Sequence, residues 1–100
     1  MTQEITVLRD QVLIALSGSM YLDMTKQIRE NLLQFIDHGH NNLFIDLAGV
    51  DYIDSSGLGM FVAVHNQARN KKGYVVFTGV RGLVKDLIVL TRLDRVLEIQ

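Results

Sequence analysis

The chain is 100 residues long, carries a formal net charge of −1 and contains no cysteine or proline. This length predicts a single domain over residues 1–100, and 48% hydrophobic residues are enough for one small core. The near-neutral charge argues against nucleic acid as a partner, and the lack of cysteine excludes disulfides and zinc–thiolate sites. The polar N-terminus and the lack of any apolar run approaching about 18–20 residues favour a cytoplasmic protein without membrane contact.

The first half of the chain predicts a β-hairpin followed by a helix. The runs EITVL (4–8) and VLIAL (12–16) are short and rich in β-formers, and the polar residues between them fit a tight connection. A helical pattern follows, with Asp23 or Ser19 as its expected cap and Gly39 as its expected end. The apolar stripe of this helix consists of Ile28, Leu32, Phe35 and Ile36.

The second half of the chain predicts strands that alternate with helices. This alternation is typical of an α/β domain with a mixed sheet of four to five strands and right-handed crossovers. The expected strands are 42–48, 74–78 and 96–99, and the expected helices are 56–70, closed by Gly73, and 81–91.

The stretch DYIDSSGLG (51–59) places two serines and two glycines at a junction between a strand and a helix. One serine as N-cap and one glycine would be ordinary turn chemistry. Two serines and two glycines within nine residues indicate a role beyond the turn. No lysine follows the glycines, a third dinucleotide-binding glycine is missing, and Asp54 replaces the glycine of a nucleophile elbow. His65 lies roughly 13 Å along the helix from Ser56 and cannot act as its base. Nucleotide-binding and hydrolytic functions are therefore disfavoured.

Carboxylates near the strand ends raise the possibility of a metal site. Asp46, Asp51 and Asp54 are oxygen ligands of the kind that Mg²⁺ uses. We favour instead a turn role for Asp51 and Asp54, in which each side chain bonds its own backbone. We therefore expect no metal and no cofactor.

A serine at a helix N-terminus is a suitable place for a phosphate. The positive end of the helix dipole and its free N–H groups tolerate or stabilise an anion. A phosphate on Ser55 or Ser56 would then change the surface that a partner meets without unfolding the domain.

The apolar residues of the second predicted helix lie on two faces. At about 100° per residue, one face, expected to meet the core, combines Leu58, Phe61, Val62 and His65. The opposite face combines Met60, Ala63, Val64 and Gln67. A neighbouring helix could cover this second face, or Met60 and Val64 could form a docking patch beside the serines.

The segment LFIDLAGVDYIDSSGLGMFV (43–62) closely resembles the core signature of STAS domains, in particular those of bacterial anti-sigma factor antagonists. An apolar strand ends in Asp46-Leu47, and the sequence Asp-Ser-Ser-Gly-Leu-Gly follows at 54–59. Residues 73–99 resemble the closing strand–helix–strand of the same family, so that the resemblance covers about the whole chain. It implies a central mixed sheet with helices packed mainly on one side.

The resemblance also implies a function by partner switching, without catalysis by the chain itself. The unmodified protein would bind an anti-sigma factor that is a serine kinase with a histidine-kinase-like ATPase fold, which frees the sigma factor. Phosphorylation of Ser56, with Ser55 as the alternative acceptor, would release the protein, and a metal-dependent serine phosphatase would reset it. We expect a monomer whose partner-binding surface contains Asp23, Asp54, Ser55, Ser56, Gly57, Leu58, Gly59, Met60 and Val64.

Two departures from the family pattern leave an alternative open. Gly18-Ser19-Met20-Tyr21 stands where relatives often carry Gly-Glu-Leu-Asp, with an acid two places on at Asp23, and Thr91-Arg92 replaces a Thr-Gly pair. The first change lies close to the serine motif, which puts the choice of partner in doubt. The alternative is a STAS interaction subunit of another assembly, such as a transporter, a lipid-trafficking complex or another signalling complex, in which the serine is only a helix cap.

Overall fold

A computed structural model of the chain, which describes residues 2–100, contains one five-stranded sheet and three helices. This confirms the predicted mixed α/β class and the predicted order of elements. A short 3₁₀ helix, Leu93–Arg95, precedes the last strand. The elements are β1 (Thr2–Val7), β2 (Val12–Met20), α1 (Leu22–Asp37), β3 (Asn42–Ile53), α2 (Ser55–Asn70), β4 (Tyr74–Thr78), α3 (Gly82–Leu90) and β5 (Glu98–Ile99).

The strands lie side by side in the order of the chain. β1 and β2 form the predicted antiparallel hairpin, and each later strand is parallel to the one before it. Because right-handed crossovers that all run in one direction place their helices on the same face, α1, α2 and α3 cover one side of the sheet. The side chains of Ile14 and Ile45, which are register partners, are buried on that side, whereas Leu13 on the other face is 38% exposed.

Two strands, β2 and β3, extend well beyond their predicted C-terminal ends, and the last strand is shorter than predicted. β2 continues to Met20 and β3 to Ile53, and these two residues pair with each other. Backbone pairing carries both strands through polar and glycine positions that have no strand-like pattern, with register shifts on the way. The predicted strand 96–99 is reduced to Glu98–Ile99, which pairs only with Val76 and Phe77.

Helices α1 and α2 end in the same type of turn. After α1 the left-handed residue is Gly39, as expected, with φ of +95°. After α2 it is Lys72, with φ of +64°, and the N–H group of the next residue, Gly73, closes the turn by donating to the Ala68 carbonyl at 2.7 Å. Gly73 is needed for a different reason, because a Cβ at this position would lie 2.0 Å from the backbone oxygen of Asn41.

We predict that Gly73→Ala destabilises the protein by about 1–3 kcal/mol, because the added methyl group overpacks against fixed backbone. Gly59→Ala is the matched control, since a Cβ there meets nothing within 4 Å and alanine favours the helix by up to about 1 kcal/mol. Urea denaturation of both variants measures the difference. Equal stability of the two variants would contradict the close approach of Asn41.

Candidate functional site

The junction between β3 and α2 is organised by one carboxylate. Asp54 is the N-cap of α2, and its Oδ1 accepts hydrogen bonds from the backbone N–H groups of Ser56 at 2.9 Å and Gly57 at 3.3 Å. The same oxygen accepts a hydrogen bond from the Ser56 hydroxyl. The idea that a serine caps this helix is therefore wrong, because Asp54 does so.

The two serines differ in their surroundings. Ser55 is the first residue of α2 and is exposed, whereas Ser56 is half-buried, and its hydroxyl is oriented by Asp54. Ser56 also lines a groove between α1 and α2, and Ser55 is not among the lining residues. Of the two candidate hydroxyls, only that of Ser56 is held in a defined position by a neighbouring side chain.

The hydrogen bonds to Asp54 also determine its ionisation. The Ser56 hydroxyl, followed by the backbone N–H groups of Gly57 and Ser56, lowers the pKa of Asp54 below 3.8, and partial desolvation opposes this only in part. The carboxylate therefore stays ionised at neutral pH and is a weak base. Its chemical role is to hold the helix start and the hydroxyl rather than to remove the hydroxyl proton.

The buried face of α2 differs from the predicted one. Met60 is 1% exposed and Val64 is 0% exposed, since α1 packs against this side of α2. A neighbouring helix therefore covers this face, as the alternative interpretation expected, so that no docking patch of Met60 and Val64 is exposed and Met60 reaches the surface only where it lines the groove between α1 and α2. Phe61 faces the sheet and contacts Phe77 with ring centroids 4.9 Å apart. The residues of α2 that are buried are Gly57, Met60, Phe61, Val64 and Ala68.

The remaining motif residues divide between surface and interior. Gly59 is exposed and lines the groove, Leu58 is half-buried against the core, and Gly57 is buried. A Cβ on Gly57 would lie 3.3 Å from the Cβ of Ile53, which explains a small residue there by packing alone. Gly57 is therefore not part of the exposed surface, and its assignment to the partner-binding surface stays a prediction.

The groove between α1 and α2 is positively charged. It has a volume of about 380 Å³, and its two charged residues, Lys26 and Arg29, are both cations on α1. Among the described residues no carboxylate lines it, although Ser56, which does, donates a hydrogen bond to the carboxylate of Asp54. The lining residues are Leu22, Thr25, Lys26, Arg29, Ser56, Gly59, Met60 and Ala63.

The start of α1 does not have the predicted cap. Tyr21 occupies the N-cap position and its side chain makes no capping hydrogen bond. Asp23 lies in the first turn and is exposed, and Ser19 belongs to β2. Both expected caps are therefore wrong. Asp23 still stabilises the helix through its negative charge near the positive end of the dipole.

Three exposed apolar residues that the sequence did not predict lie at the start of α1 and near the end of β3. Leu22 is 63% exposed and lines the same groove, Tyr21 is 57% exposed, and Tyr52 is 38% exposed. The rings of Tyr21 and Tyr52 contact each other with centroids 5.4 Å apart. A tyrosine at an N-cap, where a short polar residue is favoured, is the one signal in the sequence that could have indicated this surface.

The three aspartates of the metal hypothesis do not come together as ligands. Asp46 accepts a hydrogen bond from the Ala48 backbone at 2.9 Å, and Asp54 caps α2. Asp51 lies within β3, so its expected turn role is wrong. Within residues 2–100, no three His, Cys, Asp or Glu side chains are grouped so that they could hold a metal ion.

The described part of the chain includes no helix with the length and apolar character needed to cross a membrane.

The chain belongs to the STAS family: residues 5–98 match the family model described as "Mlab, STAS domain". A relative from Thermotoga maritima, described as an anti-sigma factor antagonist, is 30% identical over 66 residues, which are 66% of this chain and 58% of the relative. The anti-sigma-B factor antagonist of Listeria monocytogenes is 36% identical over 58 residues, which are 58% of this chain and 51% of the relative. The matched segments thus span little more than half the length of these relatives.

Solved structures confirm the fold. The crystal structure of a Thermotoga maritima protein, described as "a putative anti-sigma factor antagonist", superposes with a TM-score of 0.90 at 22% identity, over 97% of this chain and 84% of that one. Unphosphorylated SpoIIAA superposes with a TM-score of 0.77 at 19% identity, over 95% of this chain and 97% of that one. Phosphorylated SpoIIAA from Bacillus superposes with a TM-score of 0.81 at 18% identity, over 99% of this chain and 91% of that one.

We predict that Asp54→Ala lowers the unfolding temperature at pH 7 and that Asp54→Asn, which keeps an acceptor oxygen, lowers it less. The pKa of Asp54 is depressed in the folded state. The stability that the ionised carboxylate contributes is therefore fully present above pH 3.8 and is lost as the pH falls through the pKa of the folded state. Thermal unfolding from pH 7 to pH 2 should show the Asp54→Ala penalty shrinking in the acid range. A penalty that does not change with pH would contradict an ionised cap.

Proposed function

We propose that the protein is an anti-sigma factor antagonist that acts by partner switching. In its unmodified form it binds an anti-sigma factor, which is a serine kinase with a histidine-kinase-like ATPase fold, and thereby frees the sigma factor. The kinase phosphorylates Ser56 and the complex dissociates. A metal-dependent serine phosphatase then restores the binding form.

The position of the Ser56 hydroxyl is the observation that carries this proposal. Asp54 holds it at the start of α2, next to an open groove and beside the exposed Leu22. An acceptor hydroxyl must be accessible to another protein and oriented, and Ser56 meets both requirements. The sequence relatives described as anti-sigma factor antagonists support the same assignment.

In the proposed transfer, ATP supplies the phosphoryl group and ADP is the leaving group. The Ser56 oxygen forms a bond to the γ-phosphorus, and the bond between that phosphorus and the oxygen of ADP breaks. The hydroxyl proton passes to a base of the kinase, and Asp54, which accepts a hydrogen bond from this hydroxyl, orients the oxygen. The chain supplies only the nucleophile and its orientation, which agrees with a protein that is not itself an enzyme.

Release follows from the charge of the product. Phosphorylation adds about −1.5 to −2 charges at neutral pH, and these would lie within the proposed interface. A cost of about 3 kcal/mol weakens binding roughly 150-fold, which is sufficient for a switch without a large conformational change. SpoIIAA has been solved in unphosphorylated and phosphorylated forms, and this chain superposes on both, so the fold is compatible with such a modification.

An interaction subunit of a different assembly is the second candidate. The family model that matches the chain carries the description "Mlab, STAS domain" and does not name an antagonist. Tyr21 at the N-cap of α1, where antagonists often carry aspartate, also favours a different partner. In this alternative Ser56 would only support the cap made by Asp54.

We predict that affinity capture from the native host distinguishes the two candidates. Wild type and Ser56→Ala should retain a kinase of the histidine-kinase-like class, and Ser56→Asp should lose it, because the added carboxylate brings charge into the interface. Mass spectrometry identifies the captured proteins, and binding of the purified partner should weaken roughly 100-fold for Ser56→Asp.

Ser55→Asp is the matched control, since it adds the same charge one residue away at an exposed position. It should weaken binding less than Ser56→Asp. Capture of the same non-kinase complex by all the variants would contradict partner switching and favour the interaction subunit.

We also predict that Leu22→Ser weakens partner binding at least tenfold while changing the free energy of unfolding by no more than about 0.5 kcal/mol. Its side chain is exposed beside Ser56 and would be buried by a bound partner. Leu90→Ser, at a leucine of α3 that is 78% exposed, is the matched control and should bind normally. Titration calorimetry with the purified partner measures both, and equal affinities would exclude Leu22 from the interface.

A further inference from the structure

One residue that lines the groove beside Ser56 has a buried hydroxyl without a partner among residues 2–100. Thr25 is 3% exposed, and its Oγ1 makes no hydrogen bond to any of the residues 2–100. Thr25 lines the groove together with Ser56. Because an unsatisfied buried polar atom is costly, this hydroxyl would gain a hydrogen bond from a ligand in the groove toward which the Thr25 side chain turns.

The charges of the groove define that ligand as an anion. Lys26 follows Thr25 directly and Arg29 lies one helical turn further on, so all three belong to the same stretch of α1. The N–H groups of Ser56 and Gly57 already donate to Asp54. An anion in the groove would therefore take its partners from α1 and not from the first turn of α2.

Phosphorylation of Ser56 would bring such an anion to the groove. The phosphoryl group replaces the hydrogen that the Ser56 hydroxyl now donates to Asp54, so this hydrogen bond is lost. The ionised Asp54 then repels the phosphate. Lys26 and Arg29 line the groove and attract the phosphate, so a turn of the modified side chain toward them is electrostatically favoured.

We propose that the α1–α2 groove is an intramolecular phosphate-binding site in which Lys26, Arg29 and the Thr25 hydroxyl hold the phosphoryl group of phosphorylated Ser56. The modified side chain turns from Asp54 on α2 to the cations on α1 and fills the groove. The phosphoryl group then excludes a partner from the groove in two ways, because it occupies the space and because it adds negative charge. The inference rests on the proposed function only in taking Ser56 as the residue that is modified.

The test introduces phosphoserine during translation, so that no cognate kinase is needed. Full-length chains carry phosphoserine at 56 or, as the matched control, at 55, which is exposed and does not line the groove. Titration followed by ³¹P NMR gives the second pKa of each phosphate, ordinarily about 6. Both sites lie in the first turn of α2, so the helix dipole acts on both.

We expect the second pKa of the phosphate at 56 to lie about 0.5 unit or more below that at 55, because nearby cations favour the dianion. Lys26→Gln with Arg29→Gln should remove most of this difference, and Thr25→Val should remove part of it. Lys26 and Arg29 are exposed, so their substitution leaves the core intact. Unmodified variants measured by thermal unfolding check that each chain is folded.

Equal pKa values at 56 and 55, or a difference that survives the double substitution, would overturn the inference. An unchanged value in folded Thr25→Val would remove Thr25 from the site. None of these outcomes depends on a kinase, so failure of the inference is distinguishable from failure of partner switching, which the capture experiment tests.

Discussion

The carboxylate of Asp54 accepts hydrogen bonds from the backbone of Ser56 and Gly57 and from the Ser56 hydroxyl, and the rest of the site depends on this group. It fixes where α2 begins, and it thereby determines which serine faces the groove. The same contacts keep the carboxylate ionised, since they lower its pKa. The hydrogen bonds to this one carboxylate thus link the end of β3, the start of α2 and the orientation of the hydroxyl proposed to be modified.

The packing of α1 against α2 creates the groove next to the junction of β3 and α2. That packing buries Met60 and Val64. It also leaves a groove between the two helices, which is lined by Ser56 and by the two cations Lys26 and Arg29. The exposed Leu22 lines it at the beginning of α1, and Tyr21, the preceding residue, contacts Tyr52 near the end of β3. A hydroxyl, positive charge and uncovered apolar area are therefore adjacent, which is the combination expected of a binding surface that a phosphate can control.

Local patterns predicted the class of fold and the position of the motif, because both depend on periodicity and on turn residues. Patterns could not predict which face of α2 is buried, since this helix has apolar residues on two sides and only the position of α1 decides between them. Nor could they show that β2 and β3 continue through Ser19 and Tyr52, because backbone pairing there does not require an apolar pattern. The groove, the unpaired Thr25 hydroxyl and the exposure of Leu22 arise from contacts between elements distant in sequence.

The most direct test of the central claim, that modification of Ser56 separates the protein from its partner, is to map phosphate on the native chain. The protein would be isolated from its host as a free pool and a complexed pool, and fragmentation mass spectrometry would assign phosphate to Ser55 or Ser56 in each. The account predicts phosphate on Ser56 in the free pool and its near absence from the complexed pool. Equal occupancy of Ser56 in both pools, or phosphate confined to Ser55, would contradict it.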